Sequence, residues 1–318
     1  MTTYRLRAAV FATSLAASCG PVAREESHAQ QSSPQTVAAV LIASDPSWGN
    51  TEGPAVDSKG TLFFCARGKF KGIVSWTEKE GAKEYLPIDK VNGPGALWID
   101  EQDNIYVTGP GERKLWKVST DKQVTVLAEK FEPDPASSKG PNDLVKAPNG
   151  SIYFTDPNGF YGESAPGTIY RLTPEGKLSV FNKTVVGPNG ITISQDGRTI
   201  FVAHNVAKST SKIERFPLEE DGSAGQISEL ATIENCVADG MDVDREGSVW
   251  LTCYSFGNAY RIGQGGHIQQ TITTDQKALT NCFFGRGVDR KSLYLTSSDM
   301  KRITGYVYRA NVAVGGFR

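Results

Sequence analysis

One segment recurs along this chain. A turn built from Asp, Asn, Ser and Gly is followed by a short strand of alternating apolar, β-branched and aromatic residues. It reads DSKGTLFFCA from Asp57, DEQDNIYVTG from Asp100, APNGSIYFTD from Ala147, SQDGRTIFVAH from Ser194, DREGSVWLTC from Asp244 and DRKSLYLTSS from Asp289, at spacings of 43, 47, 47, 50 and 45 residues. A short apolar stretch such as ALWID or GITIS precedes each turn, and apolar–turn–apolar is the pattern of a β-hairpin. The stretches IVSWT, KLWKVS, GTIYRLT, KIERFPL, NAYRIG and GYVYRA supply further strands within each period. About four strands in ~45 residues is the length of one propeller blade. The repeat therefore predicts an all-β chain: a six-bladed β-propeller with four-stranded blades around a central channel. A β-sandwich of this size would not produce a regular repeat, and no amphipathic helix of three turns is visible.

Charge narrows the partners. The 318 residues carry 34 Lys+Arg against 35 Asp+Glu, a formal net charge of −1. No nucleic acid is expected as a partner, because phosphate binding normally shows as a basic excess. With 39% hydrophobic and 22% charged residues the body has the composition of a globular protein. The N-terminus differs. Arg5 and Arg7 precede a short, mostly apolar run, Ala8–Ala17, and Cys19 follows LAAS. This is the build of an export signal ending at a lipoprotein-type cysteine. The expected organisation is a signal peptide over 1–19, a flexible tether over 20–36 and a propeller over 37–318. The expected location is outside the cytoplasm of a bacterium, periplasmic or membrane-anchored, with a lipid on Cys19 as the only membrane contact.

The repeat also aligns positions between blades. Five residues before each turn stand Glu52, Gly95, Asn142, Asn189 and Asp239, with Asn281 near the corresponding place in the irregular sixth repeat. The first strand of a propeller blade lines the channel, so equivalent positions form a ring. Polar side chains in a narrow channel need partners. Glu52, Asn142, Asn189 and Asp239 offer four converging oxygens and a formal charge of −2, which suits one divalent cation. Carboxylate and amide oxygens without His or Cys favour Ca²⁺.

A second ring is expected from the last residues of the returning strand: Ala66, Gly109, Asp156, His204, Cys253 and Ser297. Asp156 and His204 should flank the cation one strand further out, with His204 a candidate proton shuttle. Besides Cys19 the chain has Cys65, Cys236, Cys253 and Cys282. In an exported protein this even number permits disulfides. Cys236 and Cys253 share a blade and are the favoured pair, with four buried thiols as the alternative.

The segments TEGPAVD, GPNDLVKAPNGSIYFTDP, GPNGITISQDG, ADGMDVDREGSVWLTCY and LTNCFFG resemble the SMP-30/gluconolactonase family from roughly residue 42 to 308. The resemblance implies a six-bladed propeller with one divalent cation, commonly calcium, on its axis. It implies that Glu52, Asn189 and Asp239 bind the metal and that Asn142, of the "ND" pair, binds metal or substrate. Animal members carry an Arg just before that pair. Gly140 and Pro141 stand here, a form closer to the microbial gluconolactonase branch.

The expected function is a calcium-dependent hydrolase that opens a sugar-type lactone, a small molecule. Asp239 would activate water with His204 as its rival for the proton, and Asn142 and Asp156 would orient substrate hydroxyls. An organophosphate or aryl-ester hydrolase on the same cage, or a non-catalytic propeller with structural calcium, is the alternative.

Overall fold

The computed structural model describes Met1 and residues 34–88, 90–129, 131, 140–160 and 166–318. The chain divides into two compact units, Met1–Ser33 and Pro34–Arg318. The expected export signal, Cys19 and most of the tether lie outside the described residues. Every described strand belongs to the second unit. Gln35 and Thr36, expected in the tether, instead pair in parallel with Gln270 and Thr271.

The second unit is all-β and propeller-like. Among the described residues the sole helical element is a single 3₁₀ turn, Gly287–Asp289. Four sheets each have four strands in sequence order: Thr51–Val56 to Gly81–Pro87, Leu97–Ile99 to Val124–Glu129, Leu144–Lys146 to Leu178–Asn182, and Pro188–Ile193 to Ser228–Glu234. The remaining strands form one nine-stranded sheet. It contains an antiparallel run from Val237–Val243 to Ile268–Thr273 and another from Ala278–Phe284 to Gly305–Asn311. One pairing, Tyr254 with Ala278, joins the two runs. The early strand Val40–Asp45 completes the last run by pairing antiparallel with Gly305–Asn311.

Side-chain chemistry accounts for the hairpins. Asp57 Oδ1 accepts the N–H groups of Lys59 and Thr61 at 2.9 and 2.8 Å. Asp100 does the same for Gln102 and Asn104, and Asp244 for Glu246 and Ser248. An aspartate at this place closes the turn on its own backbone, which accounts for the Asp that opens the turns at Asp57, Asp100 and Asp244.

Burial falls from the first strand to the fourth. Pro188–Ile193 is wholly buried, whereas Gly81–Pro87 is mostly exposed. Apolar side chains meet between neighbouring sheets: Val145, Tyr153 and Ile169 pack with Ile191, Val202 and Phe216. First strands also lie against first strands. Thr51–Val56 contacts Leu97–Ile99, and the contacts continue through Leu144–Lys146, Pro188–Ile193, Val237–Val243 and Ala278–Phe284 back to Thr51–Val56. This closed ring positions the site.

Candidate metal centre

The first strands break register near one end. Shifts fall between Glu52 and Ala55, Pro188 and Ile191, Ala238 and Met241, and Leu279 and Asn281. A bulge re-aims the side chain it contains, and Glu52, Asn189 and Asp239 lie at or inside these shifts. Close approach of the strands is made possible by glycine. A Cβ on Gly190 would strike the Asp239 carbonyl, and one on Gly240 would strike the Asn281 side chain.

Polar side chains lock the first strands that carry the expected ligands to the sheet before them. Thr108 Oγ1 donates to the Asn142 carbonyl at 2.6 Å and Thr155 Oγ1 to the Asn189 carbonyl at 2.7 Å. Thr280 Oγ1 donates to the carbonyl of Thr51, the neighbour of Glu52, at 2.8 Å. Ala238, the neighbour of Asp239, is held by Asn205, whose amide donates to its carbonyl, and its N–H donates to Asn205 Oδ1 and Ser211 Oγ. The backbone carrying each expected ligand is thus fixed before any ligand binds.

Glu52, Asn142, Asn189 and Asp239 all line one cavity of about 260 Å³, together with Asn50, Asn205, Arg67, Arg302 and Tyr254. Desolvation pushes the Glu52 carboxyl up to about 7, although Arg67 and Arg302 oppose the rise. The Asp239 carboxyl is raised well above the usual range by desolvation, then by the charges of Glu52 and Asp143. Asn189 Nδ2 donates to the Ala238 carbonyl at 3.2 Å, while its Oδ1 is buried without a hydrogen-bond partner. An unsatisfied buried oxygen costs on the order of 1–3 kcal/mol, and two desolvated carboxylates nearby repel each other. A hard cation relieves both penalties, so this donor set fits one divalent ion with a preference for oxygen. Among the described residues no three His, Cys, Asp or Glu side chains cluster as a metal site; half of this set is amide.

Asp143, the second residue of the "ND" pair, sits beneath the cavity. Its carboxylate accepts the Leu144 N–H at 2.8 Å and, more distantly, the Asn281 amide at 3.5 Å. Burial pushes it up to about 7. Asn281 therefore turns to Asp143 and is not among the lining residues of the cavity.

The second expected ring is not assembled at this cavity. His204 lines a separate one with Val186, Val206 and Glu214, and its Nε2 is 3.4 Å from Glu214 Oε1. Burial lowers its pKa and Glu214 opposes the shift. Asp156 is ion-paired to Arg113 at 3.1 Å and accepts the Gly140 N–H at 3.0 Å. The reason is strand alternation. Thr155 turns its hydroxyl toward Asn189, so Asp156 faces the other side of the sheet. His204 follows Ala203, the counterpart of Thr155, and is displaced likewise; Asn205, one residue on, reaches the cavity. Arg67, Asn205 and Tyr254 each stand two positions after Cys65, Ala203 and Thr252, the counterparts of Thr155. The same repeat carries that signal, read one residue further.

Of the two possibilities open for Cys236 and Cys253, the structure has the disulfide, while Cys65 and Cys282 are buried free thiols.

A closed ring of strands with one oxygen-lined cavity at its end defines a propeller-like protein with a candidate cation site. The chain belongs to the SMP-30/gluconolactonase/LRE-like family, whose profile matches residues 50–299. It is 24% identical over 289 residues to a gluconolactonase from Zymomonas mobilis subsp. mobilis, covering 81% of this chain and 78% of that one. It is 26% identical over 278 residues to regucalcin from Gallus gallus, covering 84% and 89%. The fold matches the crystal structure of a calcium-binding protein, regucalcin, from Agrobacterium tumefaciens, with a TM-score of 0.71, 21% identity and coverage of 89% and 97%.

Proposed function

We propose that this chain is a calcium-dependent lactonase that opens a sugar-type lactone on a six-bladed propeller. The blade count follows from reading the nine-stranded sheet as two blades joined at Tyr254 and Ala278. Kinship with gluconolactonase and regucalcin supports the activity and the metal. The observation that carries the reading is the buried, unpartnered Asn189 Oδ1 in a cavity that also gathers Glu52, Asn142 and Asp239.

Glu52, Asn142, Asn189 and Asp239 hold the cation in this reading. When bound, the ion supplies Lewis-acid polarisation of the lactone carbonyl and offsets charge developing on its oxygen. Asp239 takes the proton of the attacking water on a carboxylate oxygen. The Asn142 amide orients ring hydroxyls. Asp156 acts at one remove, holding Gly140 and with it the segment that presents Asn142. His204, paired with Glu214 in a different cavity, takes no part.

Chelator-stripped protein, assayed with and without added calcium against glucono-1,5-lactone, a phosphotriester and an aryl ester, tests this. Calcium-restored hydrolysis of the lactone alone is expected. Preference for either other ester moves the assignment to another hydrolase, and no hydrolysis of any of them leaves a binding propeller. Export with a lipid on Cys19 is part of the same proposal; Cys19→Ser should release the protein from the membrane fraction.

A further inference from the structure

Four charged side chains line the candidate cavity: Glu52, Asp239, Arg67 and Arg302. The carboxylates neutralise a divalent cation. The two guanidinium groups then remain as a formal +2 with no protein counter-charge in the cavity. Among the described residues neither arginine makes an ion pair, although both are near enough to Glu52 to lower its pKa. Both side chains are exposed to solvent where they line the cavity, so an anion entering it can reach them, and clustered cations attract anionic ligands.

The backbone of Arg67 and the side chain of Arg302 are held in place. The Arg67 backbone N–H donates to the carbonyls of Trp48 and Asn50 at 2.8 and 3.1 Å. The Arg302 guanidinium lies 5.5 Å from the Tyr254 ring centre, and its Nε donates to the Tyr254 hydroxyl at 3.3 Å. Arg302 has a φ of 57°, in the left-handed region that costs a residue with a Cβ roughly 1–2 kcal/mol. Its turn is fastened by the Asp299 carboxylate, which accepts the N–H groups of Lys301 at 2.8 Å and Thr304 at 2.7 Å. A strained residue kept in a site is a pointer to use. A planar guanidinium binds carboxylate through two parallel hydrogen bonds.

We infer that, on the lactonase reading above, the substrate is a lactone bearing its own carboxylate, which Arg67 and Arg302 bind. Hydrolysis adds water to the acyl carbon. The ring C–O bond breaks with its electron pair on the ring oxygen, which takes a proton, and the acyl group leaves as a second carboxylate. A dicarboxylate product matches the two guanidinium groups better than a neutral lactone does.

The test compares glucaro-1,4-lactone with glucono-1,4-lactone, which differ only in a carboxylate against a hydroxymethyl group. The calcium-loaded wild type should show kcat/KM for the charged lactone at least about tenfold higher. That ratio should fall at least about tenfold in the Arg67→Met/Arg302→Met variant and be partly restored with Lys at both positions. If the Met variant does not fold, the Lys variant and the rise of KM with salt, expected for the charged lactone alone, decide the matter. Calorimetric titration with glucarate and gluconate gives a reading that needs no turnover, with glucarate expected to bind at least about tenfold tighter in an arginine-dependent way. An unchanged ratio, or equal binding of the two acids, overturns the inference. Failure to hydrolyse either lactone would overturn the lactonase reading instead, and the calorimetry would still decide whether the arginines select a dianion.

Discussion

Asn205 and Ala238 bond reciprocally: the Asn205 side-chain oxygen accepts the Ala238 N–H at 2.7 Å, and its amide donates to the Ala238 carbonyl at 3.2 Å. Ala238 immediately precedes Asp239, so a side chain from one sheet holds the strand that presents a candidate ligand on the next. Asn205→Ala removes both bonds and leaves the Ala238 carbonyl with only the Asn189 amide. A stability loss of about 1–3 kcal/mol is expected, together with weaker calcium binding. Thermal unfolding with and without calcium measures both.

Within the cavity the candidate ligands should differ in kind. Asp239→Asn keeps an oxygen but loses a charge and a base, so lactone hydrolysis should vanish and calcium affinity fall. Asn189→Ala removes a neutral oxygen and should be partly rescued by excess calcium. His204→Ala lies in the other cavity and should change kcat by less than about threefold. A loss of the ~10²-fold size expected for a general base, with calcium binding intact, would return the shuttle role to His204. Steady-state kinetics alongside calcium titration separates these outcomes.

The first ring is legible in the sequence because the hairpin repeat aligns the blades, and equivalent positions must meet at the axis. Glu52, Asn142, Asn189 and Asp239 line one cavity for that reason. The second ring lies one residue away from its expected place. Side chains in a strand alternate between faces, and the expected positions, Asp156 and His204, fall on the face opposite the hydroxyl of Thr155. Arg302 is not legible at all. It sits in the turn between Ser292–Ser298 and Gly305–Asn311, outside the recurring hairpin segment, and only the fold brings it to Tyr254. The pairing of Val40–Asp45 with the final strand run is equally hidden, because it depends on the ring closing in space and not on a local pattern.

Stability without calcium should fall as pH rises. Glu52 and Asp143 are raised to about 7 and Asp239 is raised as well. Carboxyls in the unfolded chain release their protons near pH 4. Between about pH 4 and 7 the folded state therefore binds more protons than the unfolded one, and its stability declines across that window. Carboxyls with lowered pKa, such as Asp100, act oppositely and only at lower pH. Calcium replaces protons on Glu52 and Asp239, so the rise in Tm on adding calcium should be larger at pH 8 than at pH 5.

The Cys236–Cys253 disulfide closes a sequence separation of 17 residues. Ala238 pairs with Cys253 across the same hairpin, so the bridge also braces the strand carrying Asp239. Cys236→Ser, or reduction, should cost about 2–4 kcal/mol and weaken calcium binding. Urea unfolding with and without reductant checks this, and a calcium affinity unaffected by reduction would show that the brace does not reach the site.

Calorimetric titration of chelator-stripped protein with calcium tests most directly whether Glu52, Asn142, Asn189 and Asp239 hold one cation. The predicted result is one site per chain in the wild type, weakened at least about tenfold by Glu52→Gln and by Asp239→Asn while both variants remain folded. No calcium binding in the wild type, or binding that neither substitution alters, would contradict it.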